Sequence, residues 1–99
     1  MSVYLLVESR VKNTEMYQQY VAQVPPLITR HGGRFLVRGG KITPLGETWE
    51  PERIIIVEFP SEAHIRAWLA SPEYKKIAPL REAGADTRAV ILEGYNAAD

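Results

Sequence analysis

The sequence predicts a single α+β domain: a four-stranded antiparallel sheet with helices on one face only. Three observations lead there. Strand and helix patterns follow one another in the order β-α-β-β-α-β. The first strand pattern has one apolar and one amphipathic face, as a sheet covered on one side requires. The chain has 99 residues, enough for one core that buries roughly 65% of the unfolded surface and too few for two. Residues 1–99 therefore read as one domain, ordered to about residue 95, with a short polar tail from Gly94.

The elements follow in order. Val3 to Val11 alternates, with Val3, Leu5, Val7, Ser9 and Val11 toward the helices and Tyr4, Leu6, Glu8 and Arg10 on the other face. Asn13 is a helix N-cap, and Glu15 places a carboxylate in the first turn, where the helix dipole favours it. Met16, Tyr17, Tyr20, Val21, Val24, Leu27 and Ile28 recur at spacings of three and four. Pro25-Pro26 falls inside this run and predicts a break, with a short second piece to about Arg30. His31 closes the helix and Gly32 supplies a left-handed stop. The second strand runs from about Gly33 to Arg38, with Phe35 and Val37 inward and Arg34, Leu36 and Arg38 on the other face; Gly39-Gly40 ends it.

Lys41 to Glu52 is polar, holds Pro44, Gly46 and Pro51, and reads as an exposed loop carrying Trp49. Arg53 to Phe59 is β-branched through Ile54, Ile55, Ile56 and Val57, which suits a central strand. Ser61 caps a second helix with Ile65, Trp68 and Leu69 on its apolar stripe, and Ser71-Pro72 starts a further helical piece bearing Tyr74, Ile77 and Ala78. Pro79 and Gly84 predict an irregular stretch after it, and Thr87 to Glu93 is the last strand. This order is the split-βαβ, ferredoxin-like arrangement.

Helices on one side leave the other face of the sheet open. It would carry Tyr4, Leu6, Glu8 and Arg10, then Arg34, Leu36 and Arg38, then Ile54, Ile56 and Glu58. The last strand adds either Val90 and Leu92 or Ala89 and Ile91. An apolar patch of this size predicts association, most simply a symmetric homodimer with sheet packed on sheet. The charges mixed into it must be paired or solvated.

Composition excludes several functions. Lys plus Arg and Asp plus Glu balance at 12 each, so nothing draws the chain to nucleic acid. The absence of cysteine removes disulfides and thiolate chemistry. No apolar run approaches the roughly 20 residues of a membrane span, and no secretion signal is visible, so a cytoplasmic protein is expected. Gly39-Gly40 is followed by neither a helix nor a Lys-Ser/Thr pair, so it is not a phosphate loop, and no cofactor is expected. His31 and His64, far apart in sequence, make a poor metal pair, and no metal is expected.

The strings Gly32-Gly33-Arg34-Phe35-Leu36-Val37-Arg38-Gly39-Gly40, Trp49-Glu50-Pro51-Glu52-Arg53, Glu58-Phe59-Pro60-Ser61, Ala67-Trp68, Ser71-Pro72-Glu73-Tyr74, Arg81 and Glu93-Gly94 occur in this order. In this the chain resembles the family called domain of unknown function 1330. The resemblance implies a dimeric α+β barrel, sheet against sheet, and leaves the activity open.

Candidate site residues follow from the residues themselves. Arg38 could hold a carboxylate or enolate, and Glu58 on the same predicted face could move a proton; the alternative is an interfacial salt bridge that sets dimer register. His31 is either a base usable near neutral pH or simply a helix end. Tyr4, Arg34 and Trp49 are the candidate ligand contacts. Three functions remain open: a cofactor-free enzyme acting on a small organic acid or carbonyl compound by proton transfer or oxygenation, a non-catalytic small-molecule-binding dimer, and a purely structural dimeric domain.

Overall fold

The computed structural model describes residues 2–46 and 48–95. The elements are β1 (Val3–Val11), α1 (Thr14–Arg30), β2 (Arg34–Arg38), β3 (Arg53–Phe59), α2 (Glu62–Ala70), α3 (Pro72–Gly84) and β4 (Ala85–Glu93). The strands form one antiparallel sheet in the order β2-β3-β1-β4, with β1 central between β3 and β4. This is the ferredoxin-like α+β fold, with three helices where the second helical region divides at Ser71. That residue ends α2 and caps α3, its hydroxyl accepting from the Tyr74 amide.

The core lies between the sheet and the helices. Val3 and Leu5 of β1 and Val57 and Phe59 of β3 are buried against Tyr20, Val24, Leu27 and Ile28 of α1, Ile65 and Trp68 of α2, and Tyr74 and Ile77 of α3. Phe59 stacks on Trp68 at 5.9 Å between ring centroids, and Trp68 meets Tyr74 at 4.6 Å. α1 is held to α3 by the Tyr20–Tyr74 hydroxyl pair at 3.0 Å. At the far end the Lys12 and Asn13 amides both donate to the Gly84 carbonyl.

Four local expectations are corrected. First, α1 runs through Pro25-Pro26 as one helix. Pro25 has no amide proton for the Val21 carbonyl, but that oxygen is not left unpaired: the Arg38 guanidinium donates to it at 3.0 Å. Second, β2 does not alternate throughout. Phe35 pairs with Val57 and Val37 with Ile56, so Leu36 is an extra residue, a β-bulge. The bulge inverts the pattern after it. Val37 turns to the open face beside Ile56, while Arg38, opposite Ile55, turns to the helix side. Third, α3 continues through Pro79 to Gly84; the carbonyl that Pro79 leaves unbonded belongs to Lys75, an exposed residue. Fourth, β4 begins at Ala85, two residues early, because its ladder with β1 extends to the Val11–Ala85 pair.

The turns meet their glycines as predicted. Gly32 has φ of +82° and its amide donates to the Thr29 carbonyl, closing α1. Gly39 has φ of +71° and lies so close to the Arg53 guanidinium that a side chain there would collide with it. The tail expected from Gly94 is described only to Tyr95; its remainder lies outside the described residues.

Among the described residues no element covers the open face of the sheet. In the β1–β4 register Leu6 pairs with Val90 and Tyr4 with Leu92, which settles the strand-four alternatives in favour of Val90 and Leu92. Those two are 52% and 46% exposed, and Leu36 and Val37 at the other edge are 46% and 39% exposed.

Candidate functional site

The predicted site residues divide between two faces. Tyr4, Arg34, Glu58 and Trp49 belong to the open face. Glu58 sits opposite both Arg34 and Tyr4 in the ladders, and Arg34 donates to its Oε1 through Nη2 at 2.7 Å and Nε at 3.1 Å. Hydrogen bonds from the Ser2 side chain and then from Arg34 hold the Glu58 carboxyl below the usual carboxylate range. A second group forms around Glu8, which accepts from Arg88 and, at 3.4 Å, from the Trp49 indole. The Arg88 bond is the main cause of its lowered pKa. Both carboxylates are thus ionised and paired, flanking the apolar strip of Leu6, Ile54, Ile56, Val90 and Leu92.

Arg38 is not in this group. The bulge at Leu36 puts it on the opposite side of the sheet from Glu58, and the predicted Arg38–Glu58 pair does not form. Its guanidinium lies 5.0 Å from the Phe35 ring centre, on the helix side. His31 is the C-cap of α1, its amide shared between the Leu27 and Ile28 carbonyls; it stands at the helix end, away from both groups. His64 is exposed and bonds through Nδ1 to Ser61 Oγ at 2.7 Å, at the start of α2.

Arg38 instead borders a cavity of about 190 Å³ between the sheet and the helices. Interiors are normally packed with few voids larger than a water molecule, so this space stands out. Its floor is three rows of the sheet: Val57 with Leu5, Ile55 with Val7 and Ala89, and Arg53 with Ser9 and Thr87. Its roof is Tyr17, Tyr20, Val21, Val24 and Ile28 of α1, Trp68 and Leu69 of α2, and Tyr74 and Arg81 of α3.

Polarity runs along this cavity. One end is aliphatic and aromatic, with Leu5, Val57, Phe35 and Trp68. The other end gathers Arg53, Ser9 and Thr87 from the sheet, with Arg81 from the last turn of α3. Arg53 donates to the Tyr17 hydroxyl at 3.1 Å and lies 5.6 Å from that ring centre. Burial, then the neighbouring Tyr74, pushes the Tyr20 hydroxyl well above its ordinary pKa, so it remains protonated.

Three arginines border the space, and among the described residues no Asp, Glu or His lines it. None of the three is in a salt bridge among the described residues. Three buried polar atoms without a partner, Trp68 Nε1, Arg81 Nε and Thr87 Oγ1, all belong to lining residues. A site with unpaired donors, positive charge and no acid can hold an anion; it offers no side-chain base to generate one. Among the described residues no three potential metal-ligating side chains come together.

Sequence reading misses most of these residues. Trp68 reads as core, and it is 4% exposed, but its indole N–H is free. The usable signal is alternation: Ser9, Arg53 and Thr87 are polar residues at inward positions of otherwise apolar strands. Arg81 has no such signal, because the sequence predicts that the helix carrying it has already ended.

Solved structures share this fold. A protein of unknown function from Rhodopseudomonas palustris is 21% identical, with 96% of this chain and 83% of that one covered at a TM-score of 0.80. SnoaB, a cofactor-independent oxygenase from Streptomyces nogalater, is 16% identical, with 96% and 94% covered at a TM-score of 0.69. A dimeric ferredoxin-like protein of unknown function from Jannaschia sp. is 15% identical, with 95% and 100% covered at 0.71. At these identities the likeness shows the fold alone. No curated protein matches this chain. A family model matches residues 2–95, nearly the whole domain, and the chain accordingly belongs to the family described as Domain of unknown function (DUF1330).

Proposed function

We propose that the protein is a homodimer, joined through the open faces of its sheets, in which each subunit binds a small organic acid or carbonyl compound in the cavity between sheet and helices and acts on it without a cofactor. The observation that carries this is the cavity of about 190 Å³ bordered by three arginines without acid partners. Arg38, at its rim, adds positive charge that favours an anionic ligand. The fold shared with a cofactor-independent oxygenase supports the enzymatic reading by analogy.

Oxygenation of a ligand bound as its anion fits better than proton abstraction, because among the described residues no carboxylate or imidazole lines the cavity. Glu58 and His31 lie outside the cavity and supply no base there. The same lack of a base favours a second reading, a binding dimer without turnover. The open face supports dimerisation through its uncovered apolar strip, with the Arg34–Glu58 and Arg88–Glu8 pairs at its margins setting register.

The test is a panel of small carboxylic acids and carbonyl compounds, screened by thermal shift and by oxygen uptake on the native protein and on Arg38→Ala. The proposal expects at least one ligand that raises the melting temperature of the native protein and is lost in Arg38→Ala, with the variant still dimeric. Oxygen uptake with that ligand identifies the enzyme; binding without uptake identifies the binding dimer. Ligands that stabilise both proteins equally would move the site away from Arg38.

A further inference from the structure

The end of the cavity remote from Phe35 bears on what kind of ligand fits. Ser9 is central in a cross-strand row, paired with Arg53 on one side and Thr87 on the other. α3 ends at Gly84, packed against the backbone of Tyr17, so Arg81, one turn earlier, joins this same end. Arg81 Nε and Thr87 Oγ1 are buried there without partners. An unsatisfied buried polar group costs about 1–3 kcal/mol, and two of them beside an open space point to an acceptor that belongs between them. At the opposite end Trp68 Nε1 is likewise buried and free, in a residue only 4% exposed. Between the ends the walls are apolar: Leu5, Val7, Val24, Ile55 and Val57.

Building on the reading of this cavity as the ligand site, we propose that its ligand is a ring-sized apolar monoanion, a carboxylate or phenolate. The charged oxygen lies at Thr87 and Arg81, the ring spans the apolar middle, and a neutral acceptor carried on the far edge of the ring meets the Trp68 indole N–H. Size agrees: an apolar cavity of about 150 Å³ is enough to admit benzene, and this one is about 190 Å³. Charge agrees, since positive residues border the space and, among the described residues, no carboxylate does. One negative charge at the polar end satisfies the two unpartnered donors there, Arg81 Nε and Thr87 Oγ1, without drawing strongly hydrated groups into the apolar middle.

The two tryptophans make the test local, because Trp68 lines the cavity and Trp49 lies at the open face. The native protein, with its two indole N–H resonances assigned through Trp49→Phe, is titrated with benzoate and 4-hydroxybenzoate and with the neutral isosteres benzamide and benzyl alcohol. The inference expects the anions to shift the Trp68 indole resonance with at least tenfold tighter binding than the neutral compounds. Thr87→Val and Arg81→Met each weaken the anions about five- to tenfold and leave the neutral compounds unchanged. Thr87→Val keeps the side-chain shape, so it carries the test alone if Arg81→Met does not fold. Neutral compounds that shift Trp68 as tightly as the anions, or anions indifferent to both substitutions, would overturn the ligand class and leave the cavity as the site. No movement of Trp68 with any of the four would overturn the cavity reading as well.

Discussion

Pro25 and Arg38 are coupled through one carbonyl oxygen, and the coupling can be measured. In a helix interior proline costs about 3 kcal/mol relative to alanine, partly through the lost hydrogen bond. Here the Arg38 guanidinium fills that place, donating to Val21 O at 3.0 Å. Such a bond on a largely exposed arginine returns about 1 kcal/mol. Pro25→Ala restores the amide donor, so it should stabilise the protein by the remainder, about 2 kcal/mol. For a domain of this size that is a rise in melting temperature of roughly 8–16 °C, compared at fixed protein concentration because the melting temperature of the proposed dimer would depend on it. The sharper readout is a double-mutant cycle with Arg38→Ala in denaturant. Arg38→Ala should cost about 1 kcal/mol in the native background and close to nothing in the Pro25→Ala background, where a backbone amide supplies the helix bond. An equal cost in both backgrounds would refute the coupling and with it the explanation of how α1 stays continuous at Pro25.

Other outcomes follow from the same contacts. Thr87→Val removes a buried hydroxyl that has no partner and should stabilise the ligand-free protein by about 1 kcal/mol in a denaturant titration, the opposite of its effect on ligand binding. Phe59→Ala, at a side chain 1% exposed and stacked on Trp68, should cost about 3–5 kcal/mol in the same assay. Ile56→Asp places a charge in the centre of the apolar strip and should yield monomers by sedimentation. Glu8 and Glu58 both have pKa values below 4.5 in the folded protein, so the stability they contribute is present above about pH 4.5 and is lost as pH falls through their folded values. Melting temperature followed from about pH 6 to about pH 3 should drop below about pH 4.5, and Glu8→Gln/Glu58→Gln should flatten that drop.

Much of the fold is legible in the sequence because it rests on local periodicity. β1 alternates without interruption from Val3 to Val11, and its ladders with β3 and β4 keep that alternation. Asn13, Ser61 and Ser71 cap helices as their residue types predict, each side chain accepting from the amide three residues on. The site is harder to read, for a physical reason located at Leu36. A bulge changes the facing of every later residue in its strand, and nothing in Arg34-Phe35-Leu36-Val37-Arg38 marks where the extra residue falls. Straight alternation therefore puts Arg38 on the same face as Glu58, whereas the bulge turns it to the helix side, where it reaches Val21 O. The continuity of α1 is hidden likewise, since the donor that replaces Pro25's amide comes from a strand 13 residues away. Ser9, Arg53 and Thr87 show the converse: their inward positions follow from alternation alone, and what alternation does not reveal is that the helix-covered side of the sheet holds a cavity.

The proposed ligand lies between sheet and helices, on the side of the sheet opposite Glu58. A crystal of the protein soaked in 4-hydroxybenzoate should show density in the space bounded by Arg38, Arg81, Thr87 and Trp68, with the carboxylate toward Thr87. Ligand density on the open face at Arg34 and Glu58, with the cavity closed by rearranged side chains, would contradict this placement.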